Sequence, residues 1–146
     1  MRCRLGLMAF VVAIGACNGT SDPRIASVDG LWNYTELLED KLRGVTCNDT
    51  GAYRLVQKGD KFEGVYFQTG VCLSATGGFF NTDSGRVSGG LVVGNTVRFV
   101  ATPMCQYEGR LSGAPPGDVA GKGFCTLEIN GLLHSFEGGW QATRQP

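Results

Sequence analysis

The sequence predicts an all-β fold, an antiparallel up-and-down meander β-barrel of about eight strands, with a two-sheet β-sandwich as the alternative. Three observations predict it. From Val28 onward, apolar and polar residues alternate in runs of strand length, the period expected where one face of a sheet is buried and the other is wet. The runs are broken by glycine pairs and by Gly-Asp, Gly-Asn and Asn-Gly dipeptides, which suit two-residue hairpins because they tolerate positive φ. Four cysteines also fall at mirror positions about the connections between strands, as antiparallel neighbours require.

Along the chain the strands fall near residues 28–36, 51–58, 61–69, 85–93, 96–102, 104–112, 118–129 and 132–143, with turns at Gly59-Asp60, Gly94-Asn95 and Asn130-Gly131. The stretch Glu36–Leu42 fits a helical turn as well. Residues equidistant from a two-residue turn face each other across the hairpin. Cys47 and Cys72 are equidistant from Gly59-Asp60, and Cys105 and Cys125 are equidistant from Pro115 in the connection Gly113–Asp118. Four cysteines allow three connectivities, and this symmetry favours Cys47 with Cys72 and Cys105 with Cys125. Each bond would close a loop of roughly 20–26 residues and stabilise the fold by roughly 3–4 kcal/mol on the chain-entropy model. A four-thiolate zinc site is disfavoured, since no Cys-x-x-Cys spacing occurs.

The same mirror relation sorts side chains by face. Cys47, Tyr53, Leu55, Gln57, Phe62, Tyr66 and Cys72 point inward, and Arg54, Lys58, Lys61 and Glu63 outward. On the last three strands Cys105, Tyr107, Leu111, Val119, Cys125, Leu127, Leu132, His134, Phe136 and Trp140 point inward, while Arg98 facing solvent leaves Val92, Val97 and Phe99 inside. Successive strands with one apolar face close most economically into a barrel, which leaves no exposed edge. Glycine is abundant, 23 of 146 residues, yet 42% of the chain is hydrophobic, so tight turns and barrel taper explain it better than a collagenous or disordered chain.

Residues 1–16 have the form of an export signal: Arg2 and Arg4 lead, and an apolar run from Leu5 to Ile14 follows. That run is about half of the roughly 20 residues a membrane-spanning helix needs. The ending Ile14-Gly15-Ala16-Cys17 resembles the lipobox of bacterial lipoproteins. The resemblance implies cleavage before Cys17, lipidation of its thiol, and membrane attachment in the cell envelope. Asn18, being no aspartate, implies the outer membrane, with the periplasmic or surface face left open. Residues 17–27 then read as the lipidated cysteine and a polar tether, and residues 28–146 as the barrel domain. Loss of Arg2 and Arg4 leaves 11 basic against 13 acidic residues, a net charge of about −2, with the basic residues scattered singly. Nucleic acid is not an expected partner.

Gly30-Leu31-Trp32 near the start of the domain and Gly139-Trp140-Gln141-Ala142-Thr143-Arg144 near its end resemble the terminal strands of lipocalin-like and avidin-like barrels. The resemblance covers about a dozen residues. It supports the architecture, but not biotin recognition, because the biotin-contacting residues of avidins cannot be matched between the two motifs.

No residue group forms a catalytic motif, and no cofactor or metal is called for. The single histidine, His134, reads as a structural residue more readily than as a ligand contact. The carboxylates are expected on turns and outward positions, with no pair brought together by register. Tyr53, Gln57, Tyr66, Tyr107 and His134, with Trp32 and Trp140, combine polar handles and apolar bulk inside the barrel, the mixture that lines small-ligand sites. The alternative is a filled core whose tyrosine hydroxyls reach the barrel ends. The expected function is a lipid-anchored envelope barrel that binds a small apolar or amphipathic ligand or serves as a stable module. The alternative is a protein-recognition module, such as an inhibitor of an envelope protease, acting through loops at Asn48–Gly51, Ser74–Ser84 and Gly113–Gly117.

Overall fold

A computed structural model describes residues 25–101, 104–113 and 117–146. The export signal, Cys17, most of the tether and Pro115 lie outside the described residues. Eight strands, β1 (Gly30–Asp40), β2 (Val45–Lys58), β3 (Lys61–Ser74), β4 (Gly77–Val93), β5 (Thr96–Ala101), β6 (Cys105–Ser112), β7 (Asp118–Ile129) and β8 (Leu132–Arg144), pair in chain order. β8 returns to pair with β1 and closes the barrel, so the sandwich alternative falls. All neighbours are antiparallel.

The cysteine register holds. Cys47 lies opposite Cys72 and Cys105 opposite Cys125, with Cα separations of 3.9 and 4.1 Å, and both pairs are disulfide-bonded. Tyr53, Leu55, Phe62 and Tyr66 are buried as their facing requires. Leu132 departs from expectation and is 52% exposed, because the β7–β8 hairpin tip runs past the packed interior, whereas Leu127 lines the interior near that tip and is 37% exposed.

Strand lengths differ more from the sequence reading. β1 continues through Glu36 to Asp40, which removes the helical turn at Glu36–Leu42, and β2 begins at Val45 rather than residue 51. β4 begins at Gly77, eight residues before the expected start. The cause is common to all three. Glu36 at the edge of the first extension, and Asp40, Asp49 and Asp83 within the three, stand where a hydrophobic alternation would place apolar residues, so the pattern stops although the ladder goes on. Consequently Asn48–Gly51 and most of Ser74–Ser84 are strand, not loop. β4 reaches both neighbours by bending: its pairing shifts register between Ser88 and Leu91, where Gly89 adopts φ 60°. A Cβ on Gly90 would overlap the Phe62 carbonyl oxygen.

One half of the interior is solid. Trp140 meets Phe99 and Tyr107 edge-on, each with ring centroids 5.5 Å apart, and Tyr53 stacks on Tyr34 at 4.2 Å. Residues 28 and 29, expected to begin the first strand, are not strand; with the end of the tether they pack against this cluster at the barrel end. Val28 is buried there, and the Trp32 indole N–H donates to its carbonyl at 2.8 Å. Gln57 fastens the plug: its Oε1 accepts from Val28 N at 2.6 Å, and its Nε2 donates to the Ala26 carbonyl at 3.2 Å. Arg144 lies 5.5 Å over the Trp32 ring and donates to the Asp29 carbonyl. The chain thus enters the barrel at a closed end.

Candidate functional site

The other half of the barrel encloses a cavity of about 310 Å³. Tyr34, Ala101 and Tyr107 lie toward the packed half, and both disulfides form part of the wall. Phe79, Asp83 and Glu128 line the cavity and are exposed, so it communicates with solvent at the end opposite the plug.

Its polar lining comes from six strands, β1, β2, β3, β4, β6 and β7. Glu36 of β1 and Asp49 of β2 occupy directly paired register positions and both point inward, 4% and 2% exposed. Tyr107 of β6 donates its hydroxyl to Glu36 Oε2 at 2.8 Å. Asn81 of β4 donates to Asp49 Oδ1 at 3.1 Å, and Tyr66 of β3 donates to Asp83. Tyr34 donates to Gln68 Oε1 at 2.9 Å. No lysine, arginine or histidine is among the described lining residues.

This electrostatic setting shifts the acids upward. Burial pushes the Glu36 carboxyl up to about 7, partly opposed by the Tyr107 hydrogen bond and reinforced by the charge of Asp49. Burial also raises Asp49, with the Asn81 hydrogen bond opposing. Tyr34 and Tyr107 are raised by burial and then by Glu36, so their hydroxyls remain protonated donors. Because folded Glu36 holds its proton more tightly than the unfolded chain does, its stabilising contribution is full below pH 4.5 and is lost as pH rises through about 7. Glu36→Gln, neutral at every pH, is therefore expected to be more stable than the parent at pH 8 by on the order of 2 kcal/mol. Near pH 4 the two should coincide. Urea unfolding at both pH values checks this, and an equal difference at both would remove the titration of Glu36 as its cause.

The residues singled out from sequence separate in space. Tyr66 and Tyr107 line the cavity. Trp32, Tyr53 and Trp140 belong to the packed half, and Gln57 holds the plug. His134 is buried with Nδ1 2.9 Å from Asp40 Oδ2 and stacks on Phe136. Asp40 also accepts from the backbone N–H groups of Leu42 and Arg43, so this pair secures the β1–β2 turn. The expectation that register joins no carboxylates is overturned by Glu36 and Asp49. A signal for them existed: a ladder long enough to set Cys47 inward sets Asp49, two residues on, inward as well. Among the described residues no group of three or more His, Cys, Asp or Glu side chains is placed to hold a metal ion.

Fold and site together define a closed eight-stranded antiparallel barrel, stapled twice, with one packed half and one hollow half. Comparison with models of protein families, with curated proteins and with solved structures finds no match for the chain.

Proposed function

We propose that this chain is a lipid-anchored protein of the bacterial cell envelope whose barrel binds a small amphipathic ligand without transforming it. The observation that carries the binding role is the cavity of about 310 Å³, where polar groups converge among aromatic rings while the rest of the interior is filled. The Arg144–Trp32 stacking joins the two motifs that resemble the ends of lipocalin-like barrels, which supports the same reading. The lipobox-like ending at Cys17 supports anchoring. Since the chain enters at the plugged end, a tether from Cys17 would turn that end toward the membrane and the cavity mouth away from it.

An outward apolar stripe favours the protein-recognition alternative. Val65, Phe67 and Leu73 of β3 and Phe80 of β4 lie on one outer face, with Phe80 87% exposed. Native mass spectrometry of protein purified from its own envelope separates these readings. The expected mass is the chain from Cys17 carrying diacylglycerol and an amide-linked acyl chain, together with a non-covalent small molecule that is absent after denaturation. A Cys17→Ser variant should lose the lipid mass. An unmodified chain cleaved beyond Cys17 would end the anchoring proposal, and a stoichiometric protein partner with an empty cavity would favour the alternative.

A further inference from the structure

We infer that the cavity takes an organic cation, an ammonium group on a compact apolar or aromatic body, with the ammonium held at the Glu36–Asp49 pair. The inference rests on the ligand-binding reading and specifies the chemistry of the ligand.

Charge balance is the first argument. Glu36 and Asp49 are almost fully buried and stand directly opposite each other on neighbouring strands, an arrangement that repels when both are ionised. Buried charges are ordinarily paired, yet the described lining offers these two no cation. Each carboxylate accepts one side-chain hydrogen bond, Glu36 at Oε2 and Asp49 at Oδ1. An ammonium guest would donate to the carboxylate oxygens these bonds do not use, Glu36 Oε1 and Asp49 Oδ2. An anionic guest would add a further like charge, and a neutral one would leave the pair uncompensated.

The apolar part of the lining makes the second argument. Tyr34, Tyr66, Tyr107 and Phe136 surround the carboxylates, and aromatic faces attract ammonium groups most strongly where water is excluded. Size supplies the third. With a water's share of liquid near 30 Å³, a cavity of about 310 Å³ holds on the order of ten heavy atoms. That is the scale of a simple aromatic amine or quaternary ammonium ion, and too small for a long acyl chain with its headgroup.

The test uses three probes of similar size on the purified full-length protein: benzyltrimethylammonium, 3-phenylpropanol and 3-phenylpropanoate. The first carries a permanent charge, so any pH dependence of its binding belongs to the protein. Calorimetric titration at pH 8 is expected to show the cation bound about tenfold more tightly than the alcohol, with the anion weakest. Affinity for the cation should rise between pH 6 and 8 as Glu36 ionises. The other titratable groups lining this part of the cavity are Asp49 from β2, Asp83 from β4 and the hydroxyls of Tyr34, Tyr66 and Tyr107. Glu36→Gln keeps an acceptor for Tyr107 and should lower cation affinity about tenfold, remove its rise with pH and leave alcohol binding unchanged. Should Glu36→Gln fail the near-ultraviolet circular dichroism check for native packing, Asp49→Asn provides the same comparison between cation and alcohol. Equal binding of cation and alcohol, or preference for the anion, overturns the inference while leaving a ligand-binding barrel. Failure of all three probes to bind at millimolar concentration overturns the ligand-binding reading and the inference with it.

Discussion

Replacing Cys47, Cys72, Cys105 and Cys125 together with alanine is expected to remove about 6 to 7 kcal/mol of folding stability. The bonds close loops of 25 and 20 residues in sequence separation, and each such loop restricts the unfolded chain by about 3 to 3.5 kcal/mol. A domain of this size holds a total of about 5–15 kcal/mol, so the quadruple variant should be marginal or unfolded at 37 °C. The hollow half should fail first. Both disulfides sit in its wall, packed with Leu38, Val45 and Phe136 in a cluster much smaller than the aromatic core, so less apolar burial remains there to hold the strands once the covalent links go. Guanidinium unfolding of the two double-alanine variants and the quadruple variant, followed by near-ultraviolet circular dichroism, measures the effect. The pairs share the small cluster, so any departure of the quadruple variant from the sum of the two double variants measures the coupling between them. A quadruple variant within about 1 kcal/mol of the parent would mean that barrel closure alone fixes these strands.

The register of that wall was legible in the sequence because two independent codes agreed. Alternation put Tyr53, Leu55, Phe62 and Tyr66 on one face, and the mirror positions of Cys47 and Cys72 required the same facing. The candidate site was legible only where it is aromatic. Alternation points to Tyr66 and Tyr107 but not to Glu36 and Asp49, since a carboxylate in an alternating run ordinarily marks the wet face. A cavity breaks that rule, because an inward position facing empty space has no need of an apolar side chain. Nor does alternation tell a filled interior from a hollow one. Tyr53 and Tyr107 both point inward, yet the first is packed against Tyr34, Phe99 and Trp140 while the second also borders the cavity. That difference depends on how residues far apart in the chain meet across the barrel. Val28 and Asp29 show the same limit: they look like the start of a strand, but Gln57 and Arg144 hold them, with Ala26, at the barrel end as a plug.

Trp140→Ala is expected to cost about 3–5 kcal/mol, the range for truncating a large aromatic in a packed core. Trp140 is 4% exposed, and its ring meets Tyr53, Phe99 and Tyr107 edge-on. The adjoining wall is shaped to it: Gly121 of β7 lies directly beside Trp140, and a Cβ on Gly109 of β6, one strand further, would approach Trp140 Cζ2 to 3.0 Å. The void left by alanine cannot collapse readily, because β8 is fixed on both sides by its ladders to β7 and β1. An apolar void of this kind should stay dry and accept an apolar guest. Added indole should therefore raise the unfolding temperature of Trp140→Ala and leave that of the parent unchanged. Trp140→Phe distinguishes volume from hydrogen bonding. The buried Trp140 Nε1 has no hydrogen-bond partner among the described residues, so phenylalanine discards an unsatisfied donor while keeping most of the ring. Its cost should stay below about 1.5 kcal/mol. Because Tyr107 lies between Trp140 and Glu36, the alanine variant should also loosen the Tyr107 hydroxyl that donates to Glu36. Binding in the cavity would then weaken in Trp140→Ala and recover when indole refills the packed half. Recovery of stability without recovery of binding would show that the two halves of the barrel act independently.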